Sequence, residues 1–295
     1  MARLEKVVAG IDFSDASVAA VRWTSRWFAP DAELILVHVL DVPKPPAFLR
    51  PLLPGAEDVL ENAREGALQR LRALSESLPS VRKRLEVREG KATERIAEVA
   101  SEMDADLVVV GEHGQRRGLR DVLGSTAEQL VHASPVPVLL ARGQGEAAPQ
   151  RLLVPIDESP MGERVLEWAR LLGERFGAQV MVFHVLNARL LWQMRLVSSE
   201  RKWQELGEEM QRGAVDWLRE RVRAAGFASD AVETHVALGE PSHEILAAAA
   251  RHGADLIVLG SHGAGAFERV VIGSVTRAMM RGAFSPVLVV TPSRD

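Results

Sequence analysis

One unit of roughly 145 residues is written twice in this chain, and a repeat of that size decides the fold class before any single residue does. Ala9-Gly10-Ile11-Asp12 recurs as Val154-Pro155-Ile156-Asp157, and Leu36-Val37-His38-Val39-Leu40 recurs as Val182-Phe183-His184-Val185-Leu186, at offsets of 145 and 146. From Gly90 onward the offset settles at 149, pairing Gly90 with Gly239, Gly111 with Gly260, Arg120 with Arg269, Ser125 with Ser274 and Pro137 with Pro286. The 295 residues therefore make two domains, as expected at about 150 residues per domain. The stretch Arg142-Gly143-Gln144-Gly145-Glu146-Ala147-Ala148-Pro149-Gln150 is small, polar and Gly/Pro-bearing. It reads as the exposed connection, giving domains 1–142 and 151–295.

Within each copy, short apolar runs alternate with longer segments of helical period, the pattern of βαβ units around a parallel sheet. The runs are 6–11, 34–39, 85–88, 107–110 and 136–141, then 152–156, 180–186, 232–237, 256–259 and 287–291. Most are apolar at successive positions, so both faces expect helices over them; the third run of each copy is more polar and suits an edge. The expected architecture is α/β: two tandem doubly wound domains, each a five-stranded parallel sheet flanked by helices. Ser159-Pro160 offers a helix N-cap followed by proline at the first helical position, and Ser14-Asp15 does similar work in the first copy. Trp23 and Trp168 share a position on that first helix and read as core anchors. Segments 41–56, with five prolines, and 187–199 follow the second strand and are candidate lids.

Thirty-six Lys and Arg against 40 Asp and Glu leave a net charge of −4, too balanced for a polyanion-binding field, so nucleic acid is not the expected partner. The absence of cysteine excludes disulfides, thiol catalysis and thiolate metal sites, and fits a reducing, cytoplasmic setting. No apolar run approaches the roughly 20 residues of a membrane span, and the N-terminus reads as a first strand and not a signal peptide.

In an open α/β sheet, ligands bind beyond the carboxyl ends of the strands, where strand order reverses. There the sequence has Gly111-Glu112-His113-Gly114, nine residues, then Gly124-Ser125-Thr126; the second copy has Gly260-Ser261-His262-Gly263, nine residues, then Gly273-Ser274-Val275-Thr276. Glycines bring amide hydrogens close to an anion with no Cβ in the way, and Gly-Ser at a helix start adds a hydroxyl and the helix dipole. Phosphate is the natural guest. The hydroxyls of Ser125 and Ser274 can donate to a phosphate or cap their own helices, and both readings can hold together. Arg116, Arg117, Arg120 and Arg269 in these loops read first as solvated side chains. Asp12 and Asp157, ending the first strand of each copy, either accept from adenine or ribose or satisfy the following helix N-terminus.

No G-x4-G-K-[ST], no G-x-G-x-x-G after the first strand, no H-E-x-x-H and no G-x-S-x-G is present. His113 and His262, and His38 and His184, lack a partnered nucleophile, so turn-stabilising or packing roles outrank catalysis and metal ligation.

At these motifs the chain resembles the tandem, ATP-binding type of the universal stress protein family over essentially its whole length. The resemblance implies that Gly10, Ile11 and Asp12, and Pro155, Ile156 and Asp157, approach the adenosine, with the backbone of Val39 and Val185 against adenine. Gly111, Gly114, Gly124, Ser125 and Thr126, and Gly260, Gly263, Gly273, Ser274, Val275 and Thr276, would wrap ribose and phosphates. Mg2+ would accompany ATP through the phosphates, with few or no protein ligands. The second copy is the closer match, since the first has Glu112 for Ser261 and Ala127 for Thr276. A carboxylate pointing at a triphosphate costs electrostatic energy. The apolar last strands would cover each other as an internal pseudo-dimer, and two chains could associate further. The leading expectation is a stress-response regulatory module holding adenine nucleotide at one or two sites and signalling to a protein partner. The alternatives are slow ATP hydrolysis or self-phosphorylation at Ser125 or Ser274, and a nucleotide-free interaction scaffold.

Overall fold

A computed structural model describes residues 2–41, 56–79, 82–112, 125–142, 147–187, 200–228, 232–263 and 272–292, with the side chains of 56, 57, 125 and 200–206 left aside. The chain forms two compact units, Arg3–Glu146 and Ala147–Pro292. The first contains β1 (Lys6–Gly10), α1 (Asp15–Trp27), β2 (Glu33–Leu40), α2 (Ala56–Glu76), β3 (Arg82–Glu89), α3 (Ala92–Glu102), β4 (Leu107–Gly111), α4 (Ser125–Ala133) and β5 (Val138–Ala141). The second contains β6 (Arg151–Pro155), α5 (Met161–Phe176), β7 (Gln179–Asn187), α6 (Glu200–Ala224), β8 (Val232–Gly239), α7 (Pro241–His252), β9 (Leu256–Gly260), α8 (Ser274–Gly282) and β10 (Val287–Val290).

Strand order is β3-β2-β1-β4-β5 in the first unit and β8-β7-β6-β9-β10 in the second, and each neighbouring pair within a unit is parallel. The chain leaves β1 for β2 and β3 on one side, then returns to place β4 and β5 on the other. The order therefore reverses between β1 and β4, and likewise between β6 and β9, which opens a crevice at the carboxyl ends there. The inner strands carry continuous apolar runs because helices cover both faces: Val7, Val8, Leu34, Leu107, Val108, Val154, Leu256 and Val258 are fully buried. The edge strands β3 and β8 are half-exposed and mix charge with apolar residues, as an unpaired edge requires.

Each β4-type strand is pinned to the β1-type strand by an aspartate at the same repeat position. Asp106 accepts from the backbone amides of Glu5 (2.8 Å) and Lys6 (3.0 Å), and Asp255 from those of Gln150 and Arg151 (both 2.9 Å). Trp23 and Trp168 are buried in the core as their shared position suggests. Ser14 caps α1 by accepting from the Ser17 amide. The second copy differs: α5 starts at Met161 with Pro160 as its cap residue, and Ser159 does not cap it. The Ser159 hydroxyl donates to Asp157 at 2.5 Å, as Ser14 does to Asp12, but α5 begins two residues after its serine where α1 begins one after, so Ser159 stands one position outside the cap.

Candidate nucleotide site

The site in the second unit is built from strand ends. β6 runs into Ile156, whose amide donates to the Phe183 carbonyl (2.9 Å), and so carries Asp157 over the sheet end. Asp157 Oδ1 accepts from the amide (3.1 Å) and hydroxyl (2.5 Å) of Ser159, so this acid does hold the turn into α5. Its other oxygen faces the glycine loop: a Cβ on Gly263 would run into Asp157 Oδ2. Gly263 is thus glycine because the carboxylate of a different segment stands where a side chain would be.

The loop after β9 is fixed by three bonds. The Ser261 amide donates to the Val290 carbonyl (2.8 Å), the Gly273 amide to the Ser261 carbonyl (2.9 Å), and the Thr276 hydroxyl to the Gly260 carbonyl (2.7 Å). These hold the first turn of α8 against the end of β9. A Cβ on Gly273 would stand 3.3 Å from His262 Cα, so the backbone there approaches closely. Gly273 is the cap residue of α8 and brings no side-chain cap, which leaves the first-turn amides of that helix for another acceptor. The neighbouring α7 is closed by contrast, its cap Glu240 accepting from the His243 amide at 2.9 Å.

These parts enclose a cavity of about 870 Å³. Its polar end is lined by Asp157, Gly260, His262, Gly263, Gly273, Ser274, Val275 and Thr276. Its apolar walls come from Pro155, Ile156, Phe183 and Val185, closed by Pro241 and Ile245 of α7 and by Met161 and Val165 of α5. All ten residues that the sequence motifs single out in the second copy line this one cavity. The α5 and α7 residues, and Asn187 at the rim, were not among them. Their signal is positional only: Pro241 stands two residues after Gly239, at the start of a helix entering beside the switch point.

His184 also lines the cavity and is 8% exposed. Its Nδ1 donates to the Ile156 carbonyl at 2.9 Å, and its ring packs 4.9 Å from that of Trp217 on α6. His38 repeats the bond in the first unit, donating to Ile11 at 2.6 Å. Both therefore stabilise the turn after the first strand, as the missing nucleophile suggests.

In the first unit Asp12 repeats Asp157, accepting from the amide (3.0 Å) and hydroxyl (2.6 Å) of Ser14, and the Ile11 amide donates to the Val37 carbonyl (2.8 Å). Gly10 ends β1, Val39 lies near the end of β2, and Gly111 ends β4. A Cβ on Gly111 would lie 2.9 Å from both Ala16 C and Ser17 N, so β4 ends hard against the backbone of α1. Ser125 and Thr126 begin α4. Gly114, Gly124, His113, Arg116, Arg117, Arg120 and Arg269, together with nearly all of the two candidate lids, lie outside the described residues. Glu112 does not stand alone: it pairs with Arg142 at 3.3 Å, and burial lowers the pKa of the Arg142 guanidinium while Glu112 opposes that shift. The carboxylate expected to trouble a phosphate is thus held by a buried cation of its own unit.

A family model described as the universal stress protein family matches residues 3–142 and again 149–291. The chain belongs to the universal stress protein family. It carries two copies of the family domain in tandem, and the family is one of stress-response proteins. A universal stress protein of Mycolicibacterium smegmatis is 29% identical over 97% of each chain. YxiE of Bacillus subtilis, also a universal stress protein, is 30% identical over 48% of this chain and 97% of its own length, the length of one copy. Among solved structures, a universal stress protein from Archaeoglobus fulgidus shares the fold with a TM-score of 0.63 at 20% identity, over 98% of this chain and 97% of that one. No helix of the described residues is long and apolar enough to cross a membrane.

Proposed function

We propose that the second unit holds ATP or a close adenine relative in this cavity, and that the chain is a regulatory module whose contacts with a protein partner respond to occupancy. The observation that carries the reading is the convergence of ten motif residues, drawn from three strand ends and one helix start, on a single cavity of about 870 Å³. That volume is in the range of small-molecule sites, roughly 300–1,000 Å³. The chemistry divides along its length. Val185, Phe183, Pro241 and Ile245 offer an apolar slot for a flat base. Asp157 offers acceptors for sugar hydroxyls, and the uncapped amides of α8, opened by Gly273, suit phosphate oxygens.

Among the described lining residues there is no lysine or arginine. Amide hydrogens, the helix dipole and Mg2+ carried on the phosphates would offset the charge of a polyphosphate. Among the described residues no group of three or more His, Cys, Asp or Glu is arranged to hold a metal. The metal would thus arrive with the nucleotide. The first unit shares the Asp12, Ile11 and His38 arrangement and is read as a second site of related design.

Native mass spectrometry and equilibrium dialysis test the reading. The expected result is bound adenine nucleotide that is lost in Gly263→Val, whose side chain would enter the space between Asp157 and the loop, while the circular dichroism spectrum is unchanged. Unaltered affinity in that variant overturns the assignment.

A further inference from the structure

His184 does more than hold a turn. Its Nδ1 bond at 2.9 Å goes to a carbonyl, which has no hydrogen to give, so the proton of the neutral ring sits on Nδ1. Nε2 is then an acceptor. The ring is more than nine-tenths buried, with Trp217 packed against it at 4.9 Å and the cavity on its open side. Nε2 meets no hydrogen-bond donor among the described residues. Nε2 is not among the fully buried, unpartnered side-chain atoms of the described residues, so it stays open to the cavity, where an acceptor is met by water or by a ligand. The same anchoring is built twice, since His38 donates from Nδ1 to Ile11 in the first unit. A ring needed only to fill space would not require its tautomer to be fixed.

Asp157 follows directly on the Ile156 carbonyl that anchors the ring, and both Asp157 and His184 line the cavity. We propose that His184 is a specificity-determining residue of the site, its Nε2 accepting a hydrogen bond from a donor on the bound nucleotide, either a ribose hydroxyl or the exocyclic amino group of the base. The proposal rests on the nucleotide reading above. It explains why a strand that is otherwise apolar between Gln179 and Asn187 carries an imidazole next to Val185. A ligand without that donor leaves Nε2 desolvated and unmet, and a buried group left unmet discriminates more strongly than a bond merely made.

The test uses His184→Asn in the full chain, because the asparagine amide nitrogen can take the place of Nδ1 and keep the bond to Ile156 while removing Nε2. Isothermal titration with ATP should show affinity falling by about 5- to 50-fold. Titrations with 2′-deoxy-ATP, 3′-deoxy-ATP and purine riboside triphosphate then identify the donor. The wild-type chain should lose a similar factor with one of the three, and the variant should bind that analogue and ATP alike. A variant that binds ATP as tightly as wild type, or keeps the wild-type ranking of analogues, overturns the role. Should the variant fail to fold, the imidazole 15N spectrum of the wild-type chain decides: an Nε2 resonance that moves upfield on saturation with ATP supports the bond, and an unmoved one overturns it. A wild-type chain that retains no adenine nucleotide sinks the nucleotide reading itself, and this proposal with it.

Discussion

Asp12 and Asp157 each take the amide and hydroxyl of the serine two residues on; His38 and His184 each donate to the carbonyl after the first strand; Asp106 and Asp255 each receive the amides that open it. Around these shared bonds the two units diverge. Phe13, in a left-handed conformation with φ 63°, stacks 4.6 Å from His38 and under the Arg70 guanidinium at 3.9 Å, whereas the second unit has Glu158 in the turn and puts an aromatic, Trp217, on the helix against His184. Counting from the fully buried Leu71 and Leu218, Arg70 and Trp217 occupy equivalent helical positions. Glu112 and Arg142 form an ion pair where Ser261 and Thr291 stand in the second unit. Polar bonds that shape the turn are kept because the sheet end needs them, and the side chains next to them are free to set what each crevice prefers.

The largest expected effect separates the glycines. Gly263→Val in the second unit should remove binding there, by about 100-fold or more, since it meets the Asp157 carboxylate, which the amide and hydroxyl of Ser159 hold in place. For stability the order reverses between units. Gly111→Ala sets a Cβ 2.9 Å from the backbone of α1, which can give way only by moving a helix, and should cost about 2–3 kcal/mol in urea denaturation. Gly260→Ala meets Met161 at Cγ and Cβ and the His262 carbonyl oxygen at 3.3 Å, a side chain and a loop where Gly111 meets a helix backbone, and should cost less, about 1–2 kcal/mol. Equal costs would show that the two strand ends are not packed differently.

Next comes the ion pair. The Arg142 side chain is 2% exposed and Glu112 29%, so Glu112→Gln leaves a buried guanidinium less compensated and should destabilise the first unit by roughly 2 kcal/mol. Installing the second unit's residues at both positions, Glu112→Ser with Arg142→Thr, should recover part of that loss, because the buried charge goes with its partner. A double variant as unstable as the sum of the singles would show that the pair is not the unit that matters.

The repeat made the skeleton legible because inner strands covered on both faces are simply apolar throughout, and all ten runs coincide with strands. The run 85–88 was short of β3, which begins at Arg82, because an edge strand alternates Arg, Lys and Glu with apolar residues and hides its own start. The Ser159 cap differs for a local reason: α5 begins one residue later after its serine than α1 does, with Pro160 and not Ser159 at the cap position. Glycine spacing pointed to the glycine-lined end of the cavity, which we read as the place for phosphate, since close backbone approach leaves a mark in composition. Pro241, Ile245 and Met161 left none, for an apolar helix residue reads the same whether it faces the sheet or a ligand. The tautomer of His184 was equally hidden, because it depends on a carbonyl 28 positions away in sequence.

The smallest difference between the units is one hydroxyl. Thr276 is buried, and its hydroxyl donates to the Gly260 carbonyl at 2.7 Å, tying the first turn of α8 to the end of β9; the first unit has Ala127 there, also buried. Thr276→Val keeps the volume and removes the donor, so the Gly260 carbonyl loses a partner and stability should fall by about 1 kcal/mol. The helix start loosens with it. If the amides of α8 seat phosphate, ATP affinity in the second unit should fall a few-fold while adenosine affinity, which does not use that helix, stays put. The converse change, Ala127→Thr, adds a hydroxyl to a buried position packed without one and should not raise affinity in the first unit by the same factor. Equal and opposite effects would mean that the first unit already has the geometry of the second and lacks only this bond.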